Sequence, residues 1–235
     1  MRFLTLLLSL LPLSSFAQEA GHRTCRLLFL GERGNAPATL QLFDGKTSQL
    51  VDLPRMNLSK NYRLPPGAIN VSLLTSPPAP DQPLPAGTPT VAVGEKTETF
   101  YLLLTPDATN KVIPLRMQLI DASSTGFKPG QMMWYNLTPL DVFGKLGTQQ
   151  VNIKGRSKSI TDAPAKGNED YNVDLSFRMA GDPKTYPICE THWIHDPAAR
   201  SVTFLFSEAG SKVPRVLSFR DNPEPPDKDK ESKGQ

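Results

Sequence analysis

The sequence has few of the residues on which metal sites and catalytic centres usually depend. Its 235 residues include only two cysteines, Cys25 and Cys189, and three histidines. It has no CxxC pair, no HExxH motif, no glycine-rich phosphate loop and no G-x-S-x-G nucleophile elbow. The common zinc, nucleotide-binding and serine-hydrolase signatures are therefore excluded, and the sequence predicts neither a cofactor nor a metal site.

An excess of charge of one sign is also missing. The 26 lysines and arginines nearly balance the 23 aspartates and glutamates, which leaves a formal net charge of +3. The basic residues are scattered, whereas nucleic-acid binders concentrate them in a patch or stripe. We therefore expect no nucleic-acid partner.

Long apolar runs are absent except at the N-terminus. There, residues 3–13 follow the single cation Arg2 and lead into Ser15-Phe16-Ala17, a small-x-small cleavage pattern. The run is shorter than the roughly 20 residues of a transmembrane helix and has the layout of a secretory signal. We predict a signal peptide over 1–17, a mature protein that is periplasmic or extracellular, and no membrane span. A buried N-terminal helix is the alternative.

The C-terminal segment, residues 222–235, has no apolar residue apart from its prolines and mixes both charge signs. Such a segment cannot bury enough surface to offset its chain entropy, so it is predicted to be a disordered tail.

Helical periodicity is missing from the rest of the chain, which is rich in short alternating or apolar runs. Examples are RLLFL (26–30), ATLQLF (38–43) and SVTFLFS (201–207), separated by Gly, Pro, Asn and Asp. The 23 prolines are about twice the usual share of roughly 5%. This pattern predicts an all-β fold of the sandwich type.

Two halves of the chain resemble each other. The matching segments, in chain order, are 48–53 with 148–153, 69–74 with 171–177, and 101–114 with 203–214. We therefore predict two tandem Ig-like β-sandwich repeats of about 100 residues, an ordinary domain size. The predicted boundaries are 18–121 for the first repeat, 122–130 for a linker and 131–221 for the second repeat. One larger sandwich in which the repeats pair is the alternative.

The repeat also places the proline-rich stretch at 76–89. It precedes the last hairpin of the first repeat, where the second repeat carries residues 179–187. We therefore interpret it as an internal surface loop and not as a linker between domains.

One local motif resembles a known group of proteins. YRLPPGAINVSLLT (62–75) is a Leu-Pro-Pro-Gly turn that leads into an alternating strand. It resembles a turn of secreted bacterial Ig-like and transthyretin-like sandwiches, some of unknown function. The resemblance implies a sandwich fold in an exported protein and no functional residue.

The octet CETHWIHD (189–196) collects a cysteine, two histidines and two carboxylates. Alternation along a strand places Ile188, Glu190, His192 and Ile194 on one face, and Cys189, Thr191, Trp193 and His195 on the other. The two histidines then point to opposite faces and cannot bind one metal ion unless a bulge shifts the register. The octet is therefore predicted to be a strand.

The following Asp196-Pro197 favours a type I turn, so we expect a hairpin with the strand SVTFLFS. In that hairpin Trp193 would be mostly buried against Val202, Phe204 and Phe206. Glu190 and His192 would face outward.

The two cysteines of an exported protein could form one disulfide, Cys25–Cys189, and we predict this pairing. Two separately buried thiols are the alternative.

Two functions remain open. The first is an exported non-enzymatic β-sandwich protein, a binding or envelope-assembly module with an unknown protein or glycan partner. The second is an exported hydrolase with a dispersed active site, although no catalytic residue stands out.

Overall fold

The computed structural model describes residues 23–31, 37–54, 57–80, 82–123, 125–179, 181–208 and 210–222. The predicted signal peptide and, apart from Asn222, the predicted tail lie outside these ranges. Within them the chain forms sixteen strands and no helix, and so no helix that could cross a membrane. The strands are β1 (Arg23–Phe29), β2 (Thr39–Phe43), β3 (Ser48–Asp52), β4 (Tyr62–Leu64), β5 (Ile69–Leu74), β6 (Thr90–Val93), β7 (Thr99–Pro106), β8 (Leu115–Asp121), β9 (Met132–Asn136), β10 (Asp141–Leu146), β11 (Gln149–Ile153), β12 (Ser157–Thr161), β13 (Asp170–Arg178), β14 (Thr185–Ile194), β15 (Arg200–Phe206) and β16 (Arg215–Asp221).

The sixteen strands form two sandwiches with the same topology. The first has an inner sheet, β4-β1-β7-β8, and an outer sheet, β3-β2-β5-β6. The second has an inner sheet, β12-β9-β15-β16, and an outer sheet, β11-β10-β13-β14. Each strand has a counterpart eight strands later, including the parallel pairs β1–β7 and β9–β15. The prediction of an all-β fold with two tandem sandwiches is confirmed.

The three matching sequence segments lie on corresponding elements, namely β3 and β11, β5 and β13, and the β7–β8 and β15–β16 connections. The proline-rich stretch lies between β5 and β6, as residues 179–184 lie between β13 and β14. It is therefore an internal loop, as predicted.

Each sandwich has its own core, and the two sandwiches pack through their inner sheets. In β1, Cys25, Leu27 and Phe29 point into the first sandwich, while Leu28 and Leu30 are buried on the opposite face. That opposite face belongs to a middle cluster between the sandwiches: Leu28, Leu30, Leu58, Tyr101, Leu103, Ile120, Ala122, Phe127, Met133, Val202, Phe204 and Phe219. The alternative of a single larger sandwich is excluded by the separate cores. Burial on both faces also explains why Leu27, Leu28, Phe29 and Leu30 form a continuous apolar run.

A network of charged and polar side chains joins the two sandwiches at the same interface. Asp221 accepts hydrogen bonds from Arg26 Nη1 at 2.6 Å, from Tyr101 Oη at 2.5 Å and from Arg200 Nη2 at 2.5 Å. Arg200 Nη1 also donates to the carbonyl oxygen of Ala122 at 2.7 Å. The last strand is thus tied to the first sandwich through a carboxylate that is only 4% exposed.

The predicted hairpin after the octet is wrong. β14 pairs with β13 in the outer sheet, whereas β15 pairs with β9 and β16 in the inner sheet. The Asp196 turn does form, because Ala199 N donates to Asp196 O at 3.1 Å. It carries the chain from one sheet to the other. Val202 and Phe204 consequently lie in the middle cluster, away from Trp193.

The predicted disulfide is not formed, because the two thiols belong to different cores. Both cysteines are free. Cys25 points into the first sandwich and Cys189 packs against the core of the second, so both inner sheets lie between them. Sheets packed face to face lie about 10 Å apart, which exceeds the reach of a disulfide.

Candidate functional site

A groove lies on the outer face of the second sandwich. Register pairing places Phe143 opposite Asn152 and Asp141 opposite Arg178, so β10, β11 and β13 bring these side chains together. The groove has a volume of about 680 Å³, within the roughly 300–1,000 Å³ of ligand pockets. Its lining residues are Pro139, Asp141, Phe143, Asn152, Lys154, Arg178, Met179, Gly181, Asp182 and Pro183.

A glycine allows two of these strands to approach closely. Gly144 has a φ of 158°, and a Cβ at this position would lie 1.8 Å from the carbonyl oxygen of Asp174 in β13. Any side chain here would push β10 away from β13 and separate Asp141 and Phe143 from Arg178.

The groove contains one cation, Arg178, that forms no direct ion pair with a described residue, although, together with the hydrogen bond from Lys154, its charge helps to lower the pKa of Asp141, which lies opposite it in register. The Arg178 guanidinium lies over the Phe143 ring, 5.4 Å from the ring centroid. No carboxylate in the described part of the chain forms an ion pair with Arg178. Arg178 is exposed and Phe143 is half-buried, so the N–H donors of the guanidinium are available to a ligand.

Both carboxylates of the groove are ionised. Asp141 accepts hydrogen bonds from Lys154 Nζ at 2.7 Å and from Gly155 N at 3.0 Å, and the Lys154 contact is the main reason for its lowered pKa. Asp182 accepts from Lys184 N and from Tyr186 Oη, both at 2.8 Å, and its pKa is also lowered, chiefly by the backbone bond from Lys184. A general acid needs a raised pKa, so neither group is suited to that role at neutral pH.

The residues of the octet do not converge on a site. Glu190, His192 and Ile194 are exposed, as their alternation predicted, and His195 is buried beside Gly130. A bulge shifts the register between Leu175 and Ser176, so Ile188 and Cys189 both pack against the second core. The predicted outward face is therefore wrong for Ile188. Within the described ranges, no three His, Cys, Asp or Glu side chains cluster as metal ligands would.

The sequence did not single out any residue of the groove. Asp141, Asn152 and Arg178 come from three separate stretches and become neighbours only through strand pairing. The one local signal is the alternation in DVFGKL, which places Asp141 and Phe143 on the face opposite Val142.

The chain matches no protein-family model, and it shows no significant similarity to any curated protein. The function must therefore be argued from the geometry of the site.

Proposed function

We propose that this protein is an exported, non-enzymatic binding module that holds a glycan in the groove on β10, β11 and β13. The N-terminal signal pattern supports export. The observation that carries the binding role is Arg178, an exposed cation that forms no direct ion pair with a described residue and lies over Phe143 in an open groove.

The polarity of the lining supports a glycan in preference to a protein partner. Arg178 and Asn152 offer N–H donors, while Asp182 offers carboxylate oxygens, and a polyhydroxylated ligand uses both kinds of group. Protein interfaces instead centre on apolar and aromatic anchors. The exposed large apolar side chains in the described ranges, Leu50, Ile160, Ile194 and Val213, all lie outside the groove.

A calorimetric titration of the full chain against a panel of neutral and acidic oligosaccharides tests the proposal. We expect at least one of them to bind. Arg178→Ala should weaken that binding about tenfold, because a hydrogen bond to a charged group contributes roughly 1.5–3 kcal/mol. Arg215→Ala is the matched control, since Arg215 pairs with Glu208 at 2.7 Å, outside the groove, and should leave binding unchanged. Binding that survives Arg178→Ala, or no binding to any oligosaccharide, contradicts the proposal.

The same panel distinguishes the alternative of a hydrolase. Two carboxylates line the groove, but their lowered pKa values disfavour the acid that glycoside hydrolysis requires. We expect no cleavage of the bound oligosaccharide. Cleavage that is abolished by Asp141→Asn or Asp182→Asn would establish the hydrolase instead.

A further inference from the structure

A second opening lies where the two sandwiches meet. Its volume is about 390 Å³, and its lining residues are Gln118 of the first sandwich with Tyr135, Asn136, Leu137, Arg156, Ser157 and Lys158 of the second. Two of these residues are cations and none is an acid. We call this opening the junction pocket.

Arg156 has an unusual backbone conformation. Its φ of 52° is the only positive value of a non-glycine residue in the described ranges. The left-handed region is unfavourable for an L-residue, and glycine or asparagine usually occupies it. Arg156 lies in the connection from β11 to β12. Its conformation is held by a hydrogen bond that Arg156 N donates to Thr138 O at 2.8 Å. A non-glycine residue held in this conformation points to a role for its side chain.

The Arg156 side chain has no ion-pair partner among the described residues. It is exposed and forms no ion pair with a carboxylate of the described residues. Its five N–H donors are therefore free to bind a planar or tetrahedral oxyanion in a bidentate manner.

Lys158 supplies the second positive charge. Its Nζ donates to the Asp121 carbonyl oxygen at 3.1 Å and lies 5.8 Å from the centroid of the Tyr135 ring. Lys158 is thereby positioned against the first sandwich, at the same opening as Arg156. The Oδ1 atom of Asp121 accepts from Ser123 N and Ser123 Oγ at 2.9 and 2.7 Å, and burial, together with the negative charge of this carboxylate, raises the pKa of Tyr135.

We propose that the junction pocket binds a tetrahedral oxyanion, a phosphate or sulfate group, between Arg156 and Lys158. Gln118 lines the pocket from the other sandwich, so the bound anion contacts both halves of the molecule. The site is distinct from the glycan groove, with which it shares no lining residue.

The test measures the melting temperature of the full chain in inorganic phosphate and in chloride at matched ionic strength. A ligand that binds only the folded state raises the melting temperature with its concentration. Arg156→Gly keeps the left-handed conformation without strain, so its melting temperature in chloride should equal or exceed that of the wild type. We expect the phosphate-dependent rise to be lost in Arg156→Gly and reduced in Lys158→Gln, with an apparent affinity about tenfold weaker for the latter.

Two controls sharpen the result. Arg178→Ala changes the glycan groove and should keep the full response to phosphate, which makes the two proposals independent. Glucose 6-phosphate tested beside glucose shows whether a phosphate carried on a sugar also binds. An equal phosphate response in the wild type and Arg156→Gly would indicate general salting-out stabilisation and would overturn the proposal. The absence of any response in the wild type would overturn it as well.

Discussion

At the scale of single residues, the two thiols differ in how burial controls their chemistry. Cys25 is fully buried, and burial raises its pKa to about 12. Cys189 is half-buried, and its pKa is also raised, chiefly by burial. Since the thiolate is the reactive form, we expect iodoacetamide to leave Cys25 unmodified and to label Cys189 slowly in the native protein at neutral pH.

Peptide mass spectrometry checks this expectation. In denaturant without a reducing agent, both cysteines should be alkylated quickly. A peptide in which Cys25 and Cys189 are linked would contradict the structure and restore the pairing predicted from the sequence.

At the scale of the element, β9 and β14 each carry a tryptophan, and the two stacked rings contribute differently to stability. Trp134 of β9 is fully buried and donates from Nε1 to Thr161 Oγ1 at 3.1 Å. Trp193 is half-buried and stacks on Trp134 with ring centroids 6.3 Å apart. We expect Trp134→Ala to lower the free energy of unfolding by about 3–5 kcal/mol. Trp193→Ala should lower it by less, since part of the Trp193 side chain is exposed to solvent.

His192→Ala is the matched surface change on the same strand and should cost under about 0.5 kcal/mol. Urea titrations of the three variants, with and without EDTA, provide the measurement. A loss in His192→Ala comparable to that in Trp193→Ala, or a loss caused by EDTA, would mean that the octet binds a metal ion.

Strand β14 and its neighbours also show which structural features could be predicted from the sequence. The alternation of Glu190, His192 and Ile194 gave their outward direction, because it depends only on neighbours in the chain. The bulge at Ile188 and the passage from β14 to the inner sheet depend on pairing partners far away in sequence. The groove was missed for the same reason, whereas the duplication was found because it repeats entire strands in order.

At the scale of the whole molecule, the two sandwiches should unfold together because of Asp221. Its carboxylate pairs across the interface with Arg26 of the first sandwich and, within its own sandwich, with Arg200. Asp221→Ala leaves both guanidinium groups without their counter-charge, and breaking such a buried pair costs about 3–5 kcal/mol. We expect calorimetry to show one cooperative transition for the wild type and two for Asp221→Ala.

Asp196→Ala is the control. Asp196 forms a partly exposed ion pair with Arg220 at 3.8 Å, which contributes at most about 1 kcal/mol, and accepts a hydrogen bond from Ala198 N at 3.0 Å; both contacts lie within the second sandwich. This variant should keep the single transition. Two transitions in the wild type itself would mean that the interface does not couple the sandwiches.

The interface between the sandwiches is completed only by the last strands, which are also the last to be synthesised. The strands of the first sandwich are complete at Asp121, well before β15 and β16 supply Val202, Phe204 and Phe219. Until then the nascent chain presents the apolar side of β1 and β7, with Leu28 and Leu103, to any other chain nearby. Exposed apolar surface of this kind makes folding intermediates prone to aggregation. We therefore expect a chain that stops before residue 200 to leave this surface exposed and to aggregate more readily than the full chain.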